Sequence, residues 1–150
     1  MKILVDADCC PQKVRELILR TGKRRSLQVI FAANHSIPGT EGENSVMMVC
    51  PPGVNSADNQ IVKLAFSGDL AVTRDLTLAK RLLEKNVIVI NDRGRAFTHE
   101  TINELLSLRD FTVGLADNGM DMERKAQYGK KEAKNFADSL DRELTRLWMA

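Results

Sequence analysis

Long apolar runs are missing from this sequence: no stretch approaches the ~20 residues needed to span a bilayer. A helical membrane protein is thereby excluded. Cysteine is scarce as well. The three present, Cys9, Cys10 and Cys50, cannot all pair with one another, and none has zinc-ligand spacing, so neither a disulfide scaffold nor a structural zinc site is encoded. With no N-terminal signal pattern either, a reducing cytoplasm is the expected compartment. Aromatic residues are only 5% of the total, so the core has to be built from Leu, Ile, Val and Ala. A strong excess of one charge is also absent, with 22 Lys and Arg against 20 Asp and Glu. Any footprint for a polyanion must therefore come from local clustering. Internal repeats and low-complexity segments are lacking too.

What is there is an alternation of short apolar runs and helical patterns. The 150 residues suffice for one domain, 1–150, that buries roughly two thirds of the surface its unfolded chain would expose. The run Ile3-Leu4-Val5 reads as a strand covered on both faces, and it ends abruptly in Asp6-Ala7-Asp8. Pro11 then opens a helix expected over 11–21, with Val14, Leu17 and Ile18 inward and Gly22 as its stop. Lys13, Arg15, Arg20, Lys23, Arg24 and Arg25 form a basic cluster on that helix and the turn after it. A solvated helix face and a phosphate-tracking patch are both compatible with such a cluster.

Leu27 to Ala33 and Val46 to Val49 are the second and third strands, joined by a Gly- and Pro-containing loop, 34–45. The pattern from Ser56 to Ala65 is helical, with Asp58 on its apolar side in the first turn. There it serves either as a cap or dipole partner, or as part of a site. Leu70 to Thr73 is the fourth strand, Arg74-Asp75 its corner, and Leu76 to Lys85 the next helix. Val87 to Ile90 is the fifth strand and ends in Asn91-Asp92-Arg93-Gly94-Arg95. A helix follows from Thr98 and fades before Gly114. Residues 117–130 read as a linker, and a last amphipathic helix, about 131–148, is expected to pack on the sheet layer.

Strands alternating with helices call for α/β architecture: a five-stranded parallel sheet, order 3-2-1-4-5, in three α/β/α layers. Ligands in such sheets bind outside the carboxyl ends of the strands at the point where the winding reverses. Here that point lies between strands one and four. Asp6 and Asp8 would meet Asp75 there, with Asp58 arriving from the intervening helix. Carboxylates crowded in this way raise one another's pKa, and a divalent cation relieves the repulsion. Oxygen-only ligands suit Mg²⁺ or Mn²⁺, and the chemistry supported is attack of activated water on a phosphodiester. Arg74 and Arg93 stand at strand ends where they could clamp phosphate or neutralise the same carboxylates.

The segments Val5 to Pro11, Ser56-Ala57-Asp58, Gly68 to Ala79 and Asn91 to Gly94, with Phe136 to Arg142, resemble the YaiI/YqxD family of uncharacterised bacterial proteins over essentially the whole chain. That family is similar to the PIN-like superfamily, in which metal-dependent ribonucleases occur, and the run from Thr73 to Ala79 is the part closest to the wider superfamily. The resemblance implies a PIN-like domain whose metal ligands and catalytic carboxylates are Asp6, Asp58 and Asp75, with Asp8 as a further metal residue. Thr73, Arg74 and Arg93 are then expected on the substrate side and Mg²⁺ or Mn²⁺ as cofactor, and single-stranded RNA is the expected partner rather than duplex DNA, since no stretch reads as a groove-entering motif. Two other readings stand beside it. Asp6-Ala7-Asp8 after a strand also resembles the nucleophile and general acid of haloacid dehalogenase phosphatases, although Cys10 replaces the expected Thr or Val. A metal- or RNA-binding module without turnover is the third. Cys10, His35 and His99 are read as structural or surface residues, since none has a ligand-spaced partner.

Overall fold

The computed structural model describes residues 1–53, 55–112 and 128–149. Five parallel strands, β1 (Lys2–Asp6), β2 (Gln28–Ala33), β3 (Ser45–Val49), β4 (Leu70–Val72) and β5 (Ile88–Ile90), form one sheet in the order β3-β2-β1-β4-β5. The helices are α1 (Gln12–Arg25), α2 (Ser56–Leu64), α3 (Leu76–Leu83), α4 (His99–Thr112) and α5 (Lys130–Met149). A 3-10 turn over Ala7–Cys9 links β1 to α1. This is the α/β class and strand order that the alternation of patterns dictates.

β1 is central because both of its neighbours cover it. Ile3, Leu4 and Val5 pair with Val29, Ile30 and Phe31 on one side and with Leu70, Ala71 and Val72 on the other. Side chains alternate between faces along each strand, and the core divides accordingly. Ile3, Val5, Val29, Phe31, Leu70 and Val72 pack with Val14 and Ile18 of α1 and with Phe136, Leu140 and Leu144 of α5. Leu4, Ile30, Ala32, Ala71 and Val89 pack with α2, α3 and α4 through residues such as Ile61, Leu78, Leu82 and Ile102. Helices thus cover both faces of the sheet. None among the described residues is long and apolar enough to cross a membrane.

One boundary differs clearly from the sequence reading. α1 does not stop at Gly22 but continues to Arg25, and its left-handed cap is Ser26, at φ 56°. Gly22 is needed inside the helix for another reason. A Cβ there would lie 2.6 Å from Cγ2 of Val29 and 3.2 Å from the Leu27 carbonyl, so its bare backbone sets how closely α1 approaches β2. The proposed linker 117–130 lies outside the described residues except for its last three. Of those, Gly129 precedes α5, and its amide donates to Oε2 of Glu132 at 2.9 Å, the backward reach of a capping box.

Candidate active site

The carboxyl ends of β1, β4 and β5 open into a crevice of about 890 Å³. Six of the seven residues expected at the site line it: Asp6, Asp8, Asp58, Arg74, Asp75 and Arg93. Each is delivered by a strand end or by the first turn of a helix. Asp6 closes β1 and is 93% buried. A buried carboxylate needs donors, and Thr73 supplies one, its Oγ1 standing 2.8 Å from Oδ2 of Asp6.

Thr73 is itself 98% buried and is not part of the crevice wall. Besides donating to Asp6, its hydroxyl accepts from the Asp75 amide at 3.0 Å. One side chain thus ties the end of β1 to the corner after β4. Thr73, expected on the substrate side, is thus placed below the surface, with its hydroxyl bonded to two neighbours.

Asp75 is the N-cap of α3. Its Oδ1 accepts from the amides of Thr77 and Leu78 at 2.9 and 3.1 Å. Asp75 thus caps α3, whereas Asp58, an acid in the first turn of α2, is not the N-cap of its own helix. The N-cap of α2 is Asn55, in the left-handed region at φ 61°, a conformation asparagine tolerates. Asp58 stands inside the first turn and faces the other acids. Burial, then the charges of Asp6 and Asp75, push its carboxyl up to about 6; Arg81 opposes this, and a hydrogen bond shared with Asp75 adds to it. Asp58 and Asp75 thus meet directly, with Asp6 close enough to be felt.

Asp8, on the 3-10 turn, is the most open of the four, with 39% of its side chain exposed. Its Oδ1 lies 3.5 Å from Nδ1 of His35, a neighbour the sequence reading did not give it. A register signal was available: Asp6 pairs with Ala32, so the residues just beyond each strand must lie side by side.

On the β5 side, Asn91 builds a tight turn. Its Oδ1 accepts from the amides of Arg93 and Arg95, both at 2.9 Å. Gly94, at φ 87°, sits against the backbone of α5, where a Cβ would collide with the Asn135 carbonyl. This close packing fixes the turn that presents Arg93 and Arg95 to the crevice. Asp92 is 96% buried, with Oδ2 3.3 Å from Nε of Arg74, and its carbonyl accepts from the Tyr128 hydroxyl at 2.7 Å. Arg74 is thus engaged with an acid, as one of its two sequence readings had it, while still lining the crevice. Sequence reasoning did not find Arg95, Phe97, Leu105, Leu108 or Arg109, which complete the wall. Arg95 could have been found because it follows a strand end. Arg109 lies near the far end of α4 and had no local signal.

The donor set tests the fit of a divalent cation. The acids contributed by β1, α2 and the β4 corner offer hard oxygens only; the proton affinity of Asp58, raised first by burial, is raised further by the charges of Asp6 and Asp75, which a cation would offset. In chemistry they fit Mg²⁺ or Mn²⁺. Among the described residues, however, no three His, Cys, Asp or Glu side chains are drawn together as a ready-made ion cage. The described arrangement is one in which Asp58 and Asp75 share a hydrogen bond.

Residues 4–146 match the family model described as "Uncharacterized BCR, YaiI/YqxD family". Among curated relatives, a UPF0178 protein of Treponema denticola is 45% identical over 141 residues, covering 94% of this chain and 90% of the relative. One of Myxococcus xanthus is 44% identical over 149 residues, covering 98% and 96%. One of Vibrio cholerae is 37% identical over 146 residues, covering 97% and 98%. No solved structure matches the chain significantly.

Proposed function

The chain belongs to the YaiI/YqxD family of uncharacterised bacterial proteins, and from that premise we propose that it is a metal-dependent hydrolase of RNA phosphodiesters. The observation that supports this reading is that Asp6, Asp8, Asp58 and Asp75, from separate elements, line one crevice that arginines also line. Acids alone would repel a phosphodiester. Acids that hold a cation, flanked by Arg74, Arg93 and Arg95, would bind one.

In this reading Asp6, Asp58 and Asp75 hold Mg²⁺ or Mn²⁺, with Asp8 at the open edge as a further ligand. Such a cation, when bound, supplies Lewis acidity at a phosphoryl oxygen and lowers the pKa of water. The chain's own residues do the positioning. Thr73 sets Asp6 and Asp75 in register, while α3 holds Asp75 through its cap. Arg93 and Arg95, on a turn pinned by Asn91 and Gly94, face the non-bridging oxygens of the scissile group. Nothing in the crevice resembles a groove-entering element, which favours single-stranded RNA over duplex DNA.

The test is cleavage of a panel of single-stranded RNA, single-stranded DNA and a phosphomonoester, with Mg²⁺ or Mn²⁺ supplied, by wild type and by Asp75→Asn. Asparagine caps a helix as well as aspartate does, so this substitution removes the charge and keeps the fold. We expect RNA cleavage by wild type and a loss of about 100-fold or more in the variant. Turnover of the phosphomonoester alone would replace this reading with the phosphatase one. Oligonucleotide binding without any cleavage would leave a binding module.

A further inference from the structure

The crevice leaves unused the cationic cluster on the first helix. α1 and α5, which cover one face of the sheet, together hold eleven Lys or Arg against five Asp or Glu, whereas α2, α3 and α4 hold four against four. The excess of positive charge lies on one layer of a nearly neutral molecule. Within α1, Arg15 donates to the Cys10 carbonyl at 2.6 Å, and Arg24 and Arg25 reach Asp141 at 2.6 and 3.4 Å. Those three have structural partners.

Lys13, Arg20 and Lys23 are exposed. At 3.6 residues per turn they fall within a sector of roughly 80°, on the side of the helix away from Val14 and Ile18. The one acid of α1, Glu16, shares that side and accepts from Gln12 Nε2 at 3.3 Å. Helix stability accounts for Lys23, since cations suit a helix C-terminus. It does not account for Lys13, which stands in a first turn that has no acid and where the helix dipole disfavours positive charge. The position of α1 gives the cluster a direction. The helix begins at Gln12, four residues after Asp8, which lines the crevice, and runs for about 20 Å.

We propose that the exposed face of α1 is a track for the phosphodiester backbone of single-stranded RNA beyond the segment held in the crevice. The proposal rests on the reading of that crevice as an RNA site. The track is blind to sequence, because Lys and Arg contact phosphates and α1 offers no aromatic side chain on which a base could stack.

The test measures binding of fluorescent, cleavage-resistant phosphorothioate oligouridylates of about 4 and about 16 nucleotides, with Mg²⁺ supplied so that the crevice keeps its cation, as a function of salt. The proteins are wild type, the triple variant Lys13→Gln/Arg20→Gln/Lys23→Gln, and a control on the opposite layer, Lys63→Gln/Lys80→Gln. All five positions are exposed, and circular dichroism verifies folding. For the 16-mer, the triple variant should bind about tenfold or more weakly near 0.1 M salt. Its slope of log K against log salt should be shallower by about 2. The 4-mer, and the control variant with either oligomer, should show little change. An unchanged slope in the triple variant overturns the track, as does an equal loss for both oligomers. So does binding of this face to vesicles containing anionic phosphatidylserine in place of the 16-mer. Cleavage by the triple variant with unaltered 16-mer binding removes the track and leaves the proposed activity standing. The predicted slopes without cleavage by wild type do the reverse.

Discussion

Asp58 is the residue at which the chemistry of the crevice is felt most directly. Its carboxyl sits at about 6 in the fold against 3.8 ordinarily, through burial and the charges of Asp6 and Asp75, so the folded state binds its proton more tightly than the unfolded chain does. The stabilising contribution is complete below about pH 3.8 and is lost as pH rises through about 6. Asp58→Asn should therefore raise stability at pH 8, by about 1–2 kcal/mol after allowance for solvent screening, and leave it unchanged at pH 3.5. Urea unfolding at the two pH values measures the difference; an equal effect at both would mean the charge is not what the substitution relieves. Asp58 was legible in the sequence as an acid on an apolar helix face, but which acid caps a helix was not. Both Asp58 and Asp75 satisfy the pattern of a first-turn carboxylate. Only backbone geometry, with Asn55 at the N-cap position of α2 and Asp75 at that of α3, separates them. The burial of Thr73 was not legible for a related reason: a hydroxyl beside a site looks the same in sequence whether it points into the crevice or beneath it.

The elements themselves were easier to read, because each strand is a short apolar run and each helix has an inward stripe. Where an element ended was harder, and Gly22 shows why. A glycine after a helical stripe is the usual stop signal, yet here it answers a contact with Val29 from a strand that follows α1. The two roles make opposite predictions. At a mid-helix position without crowding, Gly22→Ala would stabilise by up to about 1 kcal/mol. With Cγ2 of Val29 only 2.6 Å from the new methyl, we expect a net destabilisation of about 1–3 kcal/mol. The double variant Gly22→Ala/Val29→Ala should then be less destabilised than the two single losses added together. Denaturant midpoints of the four proteins decide between them. The turn after β5 follows the same logic: its Asn91 and Gly94 were visible, but the α5 backbone that makes glycine necessary at position 94 was not.

At the scale of the molecule, strand order could be deduced from alternation and winding rules, and with it the place where the acids meet. The composition of the far wall could not be deduced, since Leu108 and Arg109 come from α4 and reach the crevice only through packing. If acids from three separate elements hold a cation as proposed, it should act on the whole fold, because it would bind the folded chain and not the unfolded one. Thermal unfolding should shift upward with increasing Mn²⁺ or Mg²⁺, following RT ln(1 + [L]/Kd), or about 2.7 kcal/mol at a hundredfold excess over Kd. NaCl at matched ionic strength should not reproduce the shift. A melting temperature indifferent to the divalent ion would remove the metal from the proposed function.

The bond between Thr73 and Asp6 spans 67 positions of the chain, and that span bears on synthesis. A ribosome releases β1, with Asp6 and Asp8, long before β4 exists to flank it. During that interval β1 and β2 can pair, but the corner that brings Asp75 is still to come. Because loops between such distant partners close late, the candidate site cannot assemble on a nascent chain until well over half of it has emerged. If the crevice cleaves RNA, a nascent chain is harmless to its own message until β4 and the corner after it have been made.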